Sequence, residues 1–340
     1  MDVISQNGTS RWIVPRNSKL VLPVLKSWKP YKLTSRMQWR VILAASRFNI
    51  VYLLPKTVRT IIKIDLSYWD IWLDDFSESW EVLVHVGNPS YTRKSIVFFV
   101  DRTSSVRAVA KLPLQASAKA AILHEAVILR KLQSKRLFPR ILFADEQLGI
   151  AAQTWVRGTH VSRKFGKQHI ELLRQLADDN VTVCLSDCHK KIAAWVGQLD
   201  IPLEPSLLNR ALGLLENDRE LPAFIEHRDF VPWNLRRLPD GRLTLIDWEW
   251  AVENSLPWQD ICRFFYMQDY LFRGPSKVWT TLTGNPLLQT YIHSLGIPAE
   301  ILPGLTMHYL LRTLCLDWSN SNHLGAAYTM DQIRVLLDQI

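Results

Sequence analysis

The segment from residue 225 to residue 249 constrains the fold and the chemistry of this chain more than any other stretch. Asp229 is followed five residues later by Asn234, and Asp247 stands at the end of an alternating apolar run. A single carboxylate can accept a proton, while a carboxamide oxygen and a second carboxylate can hold Mg²⁺, which prefers oxygen ligands. The spacing therefore favours a site that positions and neutralises phosphate groups and needs little covalent chemistry of its own.

After Asn234 the sequence predicts a β-hairpin. A Pro-Asp-Gly turn at 239–241 separates apolar residues from the alternating run 242–246. Such a hairpin returns Asp247 to the preceding loop and leaves its side chain at a strand tip. His227 is expected to orient that loop. An Asp before a Pro and an Asn is by itself ordinary turn chemistry, so the prediction depends on all of these groups together.

Two short segments resemble a known family. Residues 227–234 (His-Arg-Asp-Phe-Val-Pro-Trp-Asn) and 246–249 (Ile-Asp-Trp-Glu) look like the signatures of the aminoglycoside phosphotransferase and choline kinase-like family, which shares the protein-kinase fold. The resemblance implies an α+β, protein-kinase-like, two-lobed fold, with a small β-rich N-lobe and a larger helical C-lobe. The charge pattern described below adds a basic N-terminal extension to this fold. Family members usually have glycine between His and Asp, whereas Arg228 stands here, as in protein kinases.

For the catalytic loop, the resemblance implies ATP as the phosphate donor and Mg²⁺ as its ion. Asp229 is then the base that accepts the proton of an acceptor hydroxyl, with His227 supporting the loop, while Asn234 and Asp247 hold the metal. Asp260 stands near the start of a later helix, as is typical of the family, and is expected to be structural.

The N-lobe is expected to supply an ion pair for the donor phosphates. Residues 106–112 are predicted as a strand on which Lys111 contacts the phosphates, and 118–132 as a helix whose Glu125 pairs with Lys111. A lysine in a strand and a glutamate on a helix are more often solvated surface groups, so this prediction depends on the resemblance.

Two further stretches are nucleotide-binding candidates by the same resemblance. The loop at 88–94, between predicted strands 81–87 and 95–101, would cover the phosphates, although only Gly87 represents the glycine-rich signature. An ordinary polar hairpin loop is the alternative. The strand at 149–158 would offer main-chain groups to adenine, with a plain buried strand as the alternative. The candidate residues are Ser90, Thr92, Arg93, Gln153, Thr154, Trp155 and Val156.

Three regions are expected along the chain. Residues 1–79 form the basic extension, 80–157 the kinase-like N-lobe, and 158–340 the helical C-lobe with the catalytic loop and the acceptor pocket. Beyond Gly158 the apolar pattern is helical and stays helical, with 170–196 predicted as helix throughout.

Positive charge is concentrated at the amino terminus. Residues 3–64 contain twelve Lys or Arg and no acidic residue, so with Asp2 the first 64 residues carry +11. Since the whole chain carries +9, the remainder carries −2. Residues 37–54 are largely apolar, but the two arginines among them argue against a membrane-spanning helix.

The basic and apolar pattern of this extension predicts an amphipathic helix that lies on an anionic membrane surface. Contact with a polyanionic or lipid-linked substrate is also consistent with the pattern. An appendage that packs on the kinase core and exposes its lysines is the alternative. Nucleic acid is disfavoured because no recognised binding module is present. Four cysteines without zinc or dense disulfide spacing, and a polar start without a signal, predict a cytoplasmic protein or one peripheral on the inner face of the membrane.

These patterns together predict an ATP- and Mg²⁺-dependent phosphotransferase. Its acceptor is a hydroxyl of a small molecule: an aminoglycoside, a sugar, a choline-like compound or a related acceptor. The competing class is a catalytically silent nucleotide-binding or membrane-associated scaffold of the kinase-like fold. Protein phosphorylation, suggested by Arg228, is a third hypothesis, but the short stretch from Asp247 to Pro257 leaves little room for a long activation loop.

Overall fold

The computed structural model describes residues 1–6, 9–28, 33–55, 57–59, 80–272 and 278–340. The chain divides into two compact units, Met1–His160 and Val161–Ile340. The first unit is built on a β-sheet and the second mainly on helices. The predicted α+β class, with a β-rich lobe followed by a helical one, is therefore confirmed.

The described residues of the first unit form nine strands. They are β1 (Asp2–Gln6), β2 (Thr9–Val14), β3 (Thr57–Arg59), β4 (Glu81–Val86), β5 (Lys94–Val100), β6 (Val106–Pro113), β7 (Ile141–Asp145), β8 (Ile150–Gln153) and β9 (Thr159–His160). The first eight make one antiparallel sheet in the order β3-β1-β2-β4-β5-β6-β8-β7. The helices of the first unit are α1 (Leu22–Ser27), α2 (Leu33–Arg47) and α3 (Ala116–Leu132), with short 3₁₀ turns at Val51–Leu53 and Gln133–Lys135.

The centre of this sheet is apolar on β5 and β6. Phe99 lies opposite Ala108 in the antiparallel register and both are completely buried, so a large ring packs beside a small side chain. Helix α3 buries Ile122, Ala126 and Leu129, which is the apolar spacing predicted from the sequence.

Glycine is required at two hairpins of this unit. At Gly87 a Cβ atom would lie 2.7 Å from the carbonyl oxygen of Lys94, so the β4–β5 hairpin closes only without a side chain there. Gly149 has φ +69°, and a Cβ atom would lie 2.5 Å from Cγ of Lys119 on α3. Both glycines therefore allow close approach of neighbouring elements.

Residues of the predicted basic extension contribute strands to the same sheet. Strand β2 pairs with β4, with Trp12 opposite His85. The Trp12 ring is 5.5 Å from Trp28, 5.2 Å from Trp39 and 4.4 Å from His85, measured between ring centroids. Residues 60–79 of the predicted extension lie outside the described residues, and the domain boundary near residue 80 stays a prediction.

The second unit contains five strands and eight α-helices among its described residues. The strands are β10 (Ala177–Cys184), β11 (Glu220–Glu226), β12 (Leu235–Arg237), β13 (Leu243–Leu245) and β14 (Val252–Ser255). The helices are α4 (Lys167–Arg174), α5 (Leu185–Gly197), α6 (Pro205–Gly213), α7 (Gln259–Phe272), α8 (Val278–Thr283), α9 (Pro286–Ser294), α10 (Leu302–Ser319) and α11 (His323–Gln339), with a 3₁₀ turn at Ala299–Ile301.

The prediction of helix throughout 170–196 is wrong. Strand β10 separates α4 from α5 and pairs with β11, placing Val183 opposite Leu221. Val181, Thr182 and Val183 are β-branched, and such side chains fit a pleated surface better than a helix. Pairing with a strand that is distant in sequence decides the structure here, and the helical spacing before and after it gives no sign of that partner.

The predicted hairpin is present as β12 and β13, with Leu235 opposite Leu245. Gly241 supplies a φ of +88° in its turn. Strands β10, β11 and β14 form a second antiparallel sheet. Together these two hydrogen-bonded groups bring the ends of β11 and β13 to the same loop region.

Helix α10 is buried on nearly all sides. Leu305, Leu310 and Leu314 are at most 1% exposed, and the polar His308 and Arg312 are also buried. A helix that is buried all round lies in the core, so α10 is the central helix against which polar groups near the loop after β11 find partners. No helix that the described residues form is both long and apolar enough to cross a lipid bilayer.

Acid should destabilise the protein through His308. Nδ1 of this ring donates to Oε1 of Gln259 at 3.0 Å. Burial, followed by the charge of Arg312, lowers the pKa of His308 to about 3. As the pH falls below 6.5, histidine in the unfolded chain gains a proton that His308 in the folded chain does not, so stability is lost. Between pH 8 and pH 5 we expect a loss of about 2 kcal/mol from this residue.

The measurement is urea unfolding of wild type and His308→Asn at both pH values. The variant should lose about 2 kcal/mol less stability on acidification than wild type. His293→Asn, which changes an exposed histidine, should behave as wild type. An unchanged pH dependence in His308→Asn would contradict the assignment.

Candidate active site

The loop after β11 holds the Asp229 carboxylate between two side chains. Asn234 donates from Nδ2 to the Asp229 carbonyl oxygen at 3.0 Å and to Oδ2 at 2.7 Å. Arg263 of α7 donates to Oδ1 from Nη2 at 2.8 Å and from Nε at 3.3 Å. The Asp229 side chain is 23% exposed, so the carboxylate is oriented by the protein and remains in contact with solvent.

His227 connects this loop to the tip of the hairpin. The Asp229 amide donates to Nδ1 of His227 at 3.2 Å, and Nε2 lies 3.1 Å from the carbonyl oxygen of Ile246. Since Nδ1 accepts, Nε2 carries the proton and donates, which is the neutral form of the ring. The Trp248 ring packs edge-on against it at 4.6 Å. The imidazole therefore fixes the distance between the loop and the residue before Asp247.

Asp247 follows the hairpin strand β13 in a left-handed conformation, with φ +71°. Aspartate tolerates this region better than most residues. The preceding amide, on Ile246, donates to the carbonyl oxygen of Asn234 at 3.0 Å. The two predicted metal ligands thus come from backbone segments that are directly hydrogen-bonded to each other.

Asn234 and Asp247 offer atoms that fit Mg²⁺. Because Nδ2 of Asn234 donates to Asp229, Oδ1 is the atom of this amide that can face a cation. One amide oxygen and one carboxylate suit an ion that usually takes one or two protein ligands and completes its shell with phosphates and water. Within the described ranges, no group of three or more His, Cys, Asp and Glu side chains is arranged to bind a metal without such help.

Asp260, in the first turn of α7, holds the backbone of the catalytic loop. Its carboxylate accepts the amide of His227 at 2.8 Å and the amide of Arg228 at 3.0 Å. Burial and the nearby charge of Glu226 raise the pKa of Asp260 to about 8, while these two donors favour the ionised form. The side chain is 5% exposed and binds only inward, in agreement with the structural role expected for it.

The residue between His227 and Asp229 has a backbone conformation that favours glycine. Arg228 has φ +62°, a left-handed conformation that costs a non-glycine residue about 1–2 kcal/mol and costs glycine nothing. Its amide is held by Asp260, and its Nε atom lies 3.7 Å from Oε2 of Glu226. These contacts offset the strain, so arginine is accommodated at a position where the backbone favours glycine.

Below the loop lies a buried ion pair that sequence reasoning missed. Arg312 of α10 donates to both carboxylate oxygens of Glu226, with Nη1 to Oε2 at 2.7 Å, and Ser255 donates to Oε2 at 2.6 Å. Burial by itself would raise the pKa of Glu226, but Arg312 outweighs it and lowers that pKa to about 2. The pair joins the central helix to the strand end from which the loop starts.

Arg263 was also missed, although a local signal for it exists. It stands three residues after Asp260 on α7, and side chains at i and i+3 share one helix face. A helix that presents Asp260 to the loop backbone therefore presents Arg263 to the same loop. Arg312 has no comparable signal, because it lies 86 residues from Glu226 in the sequence.

In the first unit, Lys111 and Glu125 form the predicted ion pair. Nζ of Lys111 on β6 donates to Oε2 of Glu125 on α3 at 2.6 Å, and the two residues are 5% and 2% exposed. Burial of a charged lysine in a sheet, or of a charged glutamate on the core-facing side of a helix, lowers the stability of the fold unless the charge is paired. Their nucleotide-binding role stays a prediction.

The loop between β4 and β5 packs on the start of α3 through its backbone. The carbonyl oxygen of Ser90 accepts from Gln115 at 2.8 Å, and that of Tyr91 accepts from Ser117. The Arg93 guanidinium donates to the carbonyl oxygen of Gly87 at 3.2 Å. Ser90 is exposed and Thr92 half-buried, and the phosphate-covering role of Ser90, Thr92 and Arg93 stays a prediction.

The predicted adenine-binding stretch begins in β8 and continues beyond it. Gln153 is buried, and the ring of Trp155 packs edge-on against Phe98 at 5.7 Å. Thr154 donates its amide to the carbonyl oxygen of Arg140 at 2.8 Å and accepts the Arg140 amide on Oγ1 at 2.9 Å. The Thr154 amide is thus already engaged. Adenine recognition by residues 153–156 stays a prediction.

Comparison with solved structures identifies the same fold in small-molecule phosphotransferases. A thermostable mutant of an aminoglycoside phosphotransferase, in ternary complex with ADP and hygromycin B, matches with a TM-score of 0.50 at 14% identity, over 75% of this chain and 93% of that one. A second mutant of the same enzyme, with AMP-PNP and hygromycin B, gives the same four values. Choline kinase from Streptococcus pneumoniae matches with a TM-score of 0.49 at 16% identity, over 75% and 92%.

At this level of identity the likeness concerns the fold. No protein-family model matches the sequence, and no curated protein sequence matches it. The chain has the protein-kinase-like fold of aminoglycoside phosphotransferases. The resemblance inferred from residues 227–234 and 246–249 is confirmed to that extent.

Breaking the Glu226–Arg312 pair from one side should cost more than removing both charges. Arg312→Met leaves the Glu226 carboxylate buried without its bidentate partner, and we expect a loss of about 3–5 kcal/mol in the free energy of unfolding. The double variant Arg312→Met with Glu226→Leu should recover much of that loss. Chemical denaturation of each variant measures these changes.

The matched control is Arg334→Met, which removes an exposed arginine that pairs with Asp331. It should cost less than about 1 kcal/mol. If the double variant were as unstable as the sum of its single changes, the two residues would not be energetically coupled and the account of this pair would be wrong.

Proposed function

We propose that this protein is an ATP- and Mg²⁺-dependent phosphotransferase that acts on a hydroxyl group of a small molecule. The observation that carries the proposal is the hydrogen-bonded arrangement of Asp229, Asn234 and Asp247. Asn234 contacts Asp229 through its side chain and Ile246 through its backbone, and His227 bridges the same two segments. These contacts support a base at Asp229 and oxygen ligands at Asn234 and Asp247 that come from hydrogen-bonded backbone segments before any ligand binds.

In the proposed reaction Asp229 accepts the proton of the acceptor hydroxyl. The hydroxyl oxygen forms a bond to the γ-phosphorus of ATP, and the bond from that phosphorus to its bridging oxygen breaks. The electron pair of the broken bond stays on ADP. Arg263 and Asn234 hold the Asp229 carboxylate from opposite sides, so its orientation is set in advance of substrate binding.

The donor phosphates carry several negative charges that must be neutralised. Asn234 and Asp247 would hold Mg²⁺, and this ion supplies positive charge to the phosphate oxygens when bound. Lys111, kept in place by Glu125 at 2.6 Å, supplies a second positive charge in this proposal. Ser90, Thr92, Arg93 and the backbone of residues 153–156 are the remaining candidates for nucleotide contacts.

The acceptor is proposed to be a small hydroxyl compound rather than a protein. The similar solved structures include an enzyme bound to hygromycin B together with ADP. In this chain, the stretch between Asp247 and α7 is short and contains strand β14, which leaves no space for a long activation loop. An aminoglycoside, a sugar or a choline-like compound therefore fits the proposal better than a polypeptide.

A screen for ATP consumption against amino sugars, sugars, choline analogues and lipid-linked glycans tests the proposal. With an accepted substrate, Asp229→Asn should lower kcat by about 10²–10⁴-fold, because a general base is removed while the shape of the side chain is kept. Nucleotide binding, measured as a thermal shift with Mg-ATP, should persist in this variant.

Asp247→Ala should instead lose the Mg²⁺-dependent part of the thermal shift, since it removes a metal ligand. Asp240→Asn, in the exposed hairpin turn, is the matched control and should behave as wild type in both assays. Turnover that Asp229→Asn leaves unchanged would contradict the proposed base.

A catalytically silent scaffold is the second candidate, and the contacts of the Asp229 carboxylate favour it. Both carboxylate oxygens of Asp229 have a protein partner, Arg263 on Oδ1 and Asn234 on Oδ2. A carboxylate oxygen can accept more than one hydrogen bond, so these contacts also suit a base that is oriented before use. The two candidates differ in what the removal of Arg263 does.

If Arg263 orients a working base, Arg263→Gln should lower kcat by roughly 10-fold or more with little change in KM for ATP, because small displacements of a catalytic group are costly. Arg263→Lys should retain more activity, since it keeps the charge. Arg334→Gln serves as a surface control. If kcat rises when Arg263 is removed, the silent scaffold is favoured, because Arg263 then blocks the Asp229 carboxylate in the wild-type protein.

A further inference from the structure

Helix α2 and the turn that follows it expose a row of large apolar side chains. Met37 is 63% exposed, Val41 55%, Phe48 69% and Leu53 65%. We call these four residues the apolar stripe. Monomeric proteins rarely expose large apolar side chains side by side, and such a group usually marks a contact surface.

The positions of these side chains follow helix geometry. Met37 and Val41 are spaced at i and i+4 on α2, which at 3.6 residues per turn places them on one face. Phe48 follows directly after the last residue of this helix. The opposite face is already used in the core of the first unit. There Trp39 is 7% exposed and donates from Nε1 to the carbonyl oxygen of Leu25 at 3.1 Å. The apolar stripe is therefore a second apolar face, additional to the one that folding requires.

A row of arginines runs along the helix beside the apolar stripe. Arg36, Arg40 and Arg47, which we call the basic row, are all exposed. Each precedes a member of the apolar stripe by one residue, so the row lies about 100° around the helix from it. No acidic residue occurs between positions 3 and 64 of the sequence, so every charged side chain of this segment is basic.

We propose that the apolar stripe and the basic row dock on the surface of an anionic lipid bilayer. An interfacial helix places apolar side chains below the headgroups and arginines level with the phosphates, which is the arrangement seen here. Each basic residue near such a surface strengthens binding by about fivefold. This contact is separate from phosphotransfer, and either can be correct without the other.

Two other occupants fit the same surface less well. A second copy of this chain would bring one basic row against another, and like charges oppose that contact. A polynucleotide would satisfy the arginines but offers its charged backbone, not hydrocarbon, to Met37, Val41 and Leu53. Both remain outcomes of the experiment below.

The experiment measures co-sedimentation of the full-length protein with vesicles of phosphatidylcholine alone and with 3:7 phosphatidylglycerol to phosphatidylcholine. Wild type should bind the anionic vesicles and not the neutral ones. The variant Met37→Gln, Val41→Gln and Phe48→Gln should bind at least 10-fold more weakly. The variant Arg36→Gln, Arg40→Gln and Arg47→Gln should show a loss of similar size.

Matched controls separate this surface from general properties of the protein. Arg130→Gln, Lys190→Gln and Lys191→Gln remove three exposed charges elsewhere, so the net charge falls equally while the basic row is kept. Leu324→Gln with Tyr91→Gln removes exposed apolar side chains elsewhere, at 79% and 80% exposure. Both controls should bind as wild type, and circular dichroism should show every variant folded.

Three results would overturn the proposal. One is no binding to anionic vesicles, or equal binding by all variants. Another is a wild-type dimer, detected by sedimentation velocity, that the Met37, Val41 and Phe48 changes convert to monomer. The third is tight binding of a single-stranded oligonucleotide that depends on the basic row and is unaffected by loss of the apolar stripe.

Discussion

The Asp260 carboxylate, which accepts two consecutive backbone amides, is the interaction on which the rest of the catalytic loop depends. It fixes the peptide units of His227 and Arg228. With these fixed, the His227 ring can reach Ile246 and the Asp229 side chain can reach Asn234. Asp260 is itself anchored, because its neighbour Gln259 donates to the carbonyl oxygen of Leu305 at 3.0 Å. The loop is thereby attached to the central helix α10.

Charge compensation makes this arrangement possible in a poorly solvated place. Three carboxylates, on Glu226, Asp229 and Asp260, lie near three guanidinium groups, on Arg228, Arg263 and Arg312. Burying any one of these charges alone would cost several kcal/mol. Because acidic and basic side chains lie next to one another, the loop can hold a left-handed arginine and a partly exposed Asp229 carboxylate.

Much of the fold was predictable because its signals are local. Apolar periodicity and turn residues within short stretches of sequence predict strands β4, β5 and β6, helix α3 and the hairpin β12–β13. Strand β10 was missed because its partner β11 is distant in sequence. Arg263 and Arg312 were missed because the chain has 41 Lys and Arg residues. Which of them pair with the loop carboxylates depends on which helices pack against the loop, and the sequence does not show that packing. The Lys111–Glu125 pair was predicted only through the family resemblance.

In the proposed reaction Asn234 and Asp247 hold one divalent cation close to Asp229, the base. A crystal structure with AMP-PNP and Mn²⁺, in which the metal is located by its anomalous scattering, tests this most directly. If these residues are the ligands, the metal peak should lie about 2.1 Å from both Oδ1 of Asn234 and a carboxylate oxygen of Asp247. A nucleotide-bound metal that contacts neither side chain would contradict this proposal.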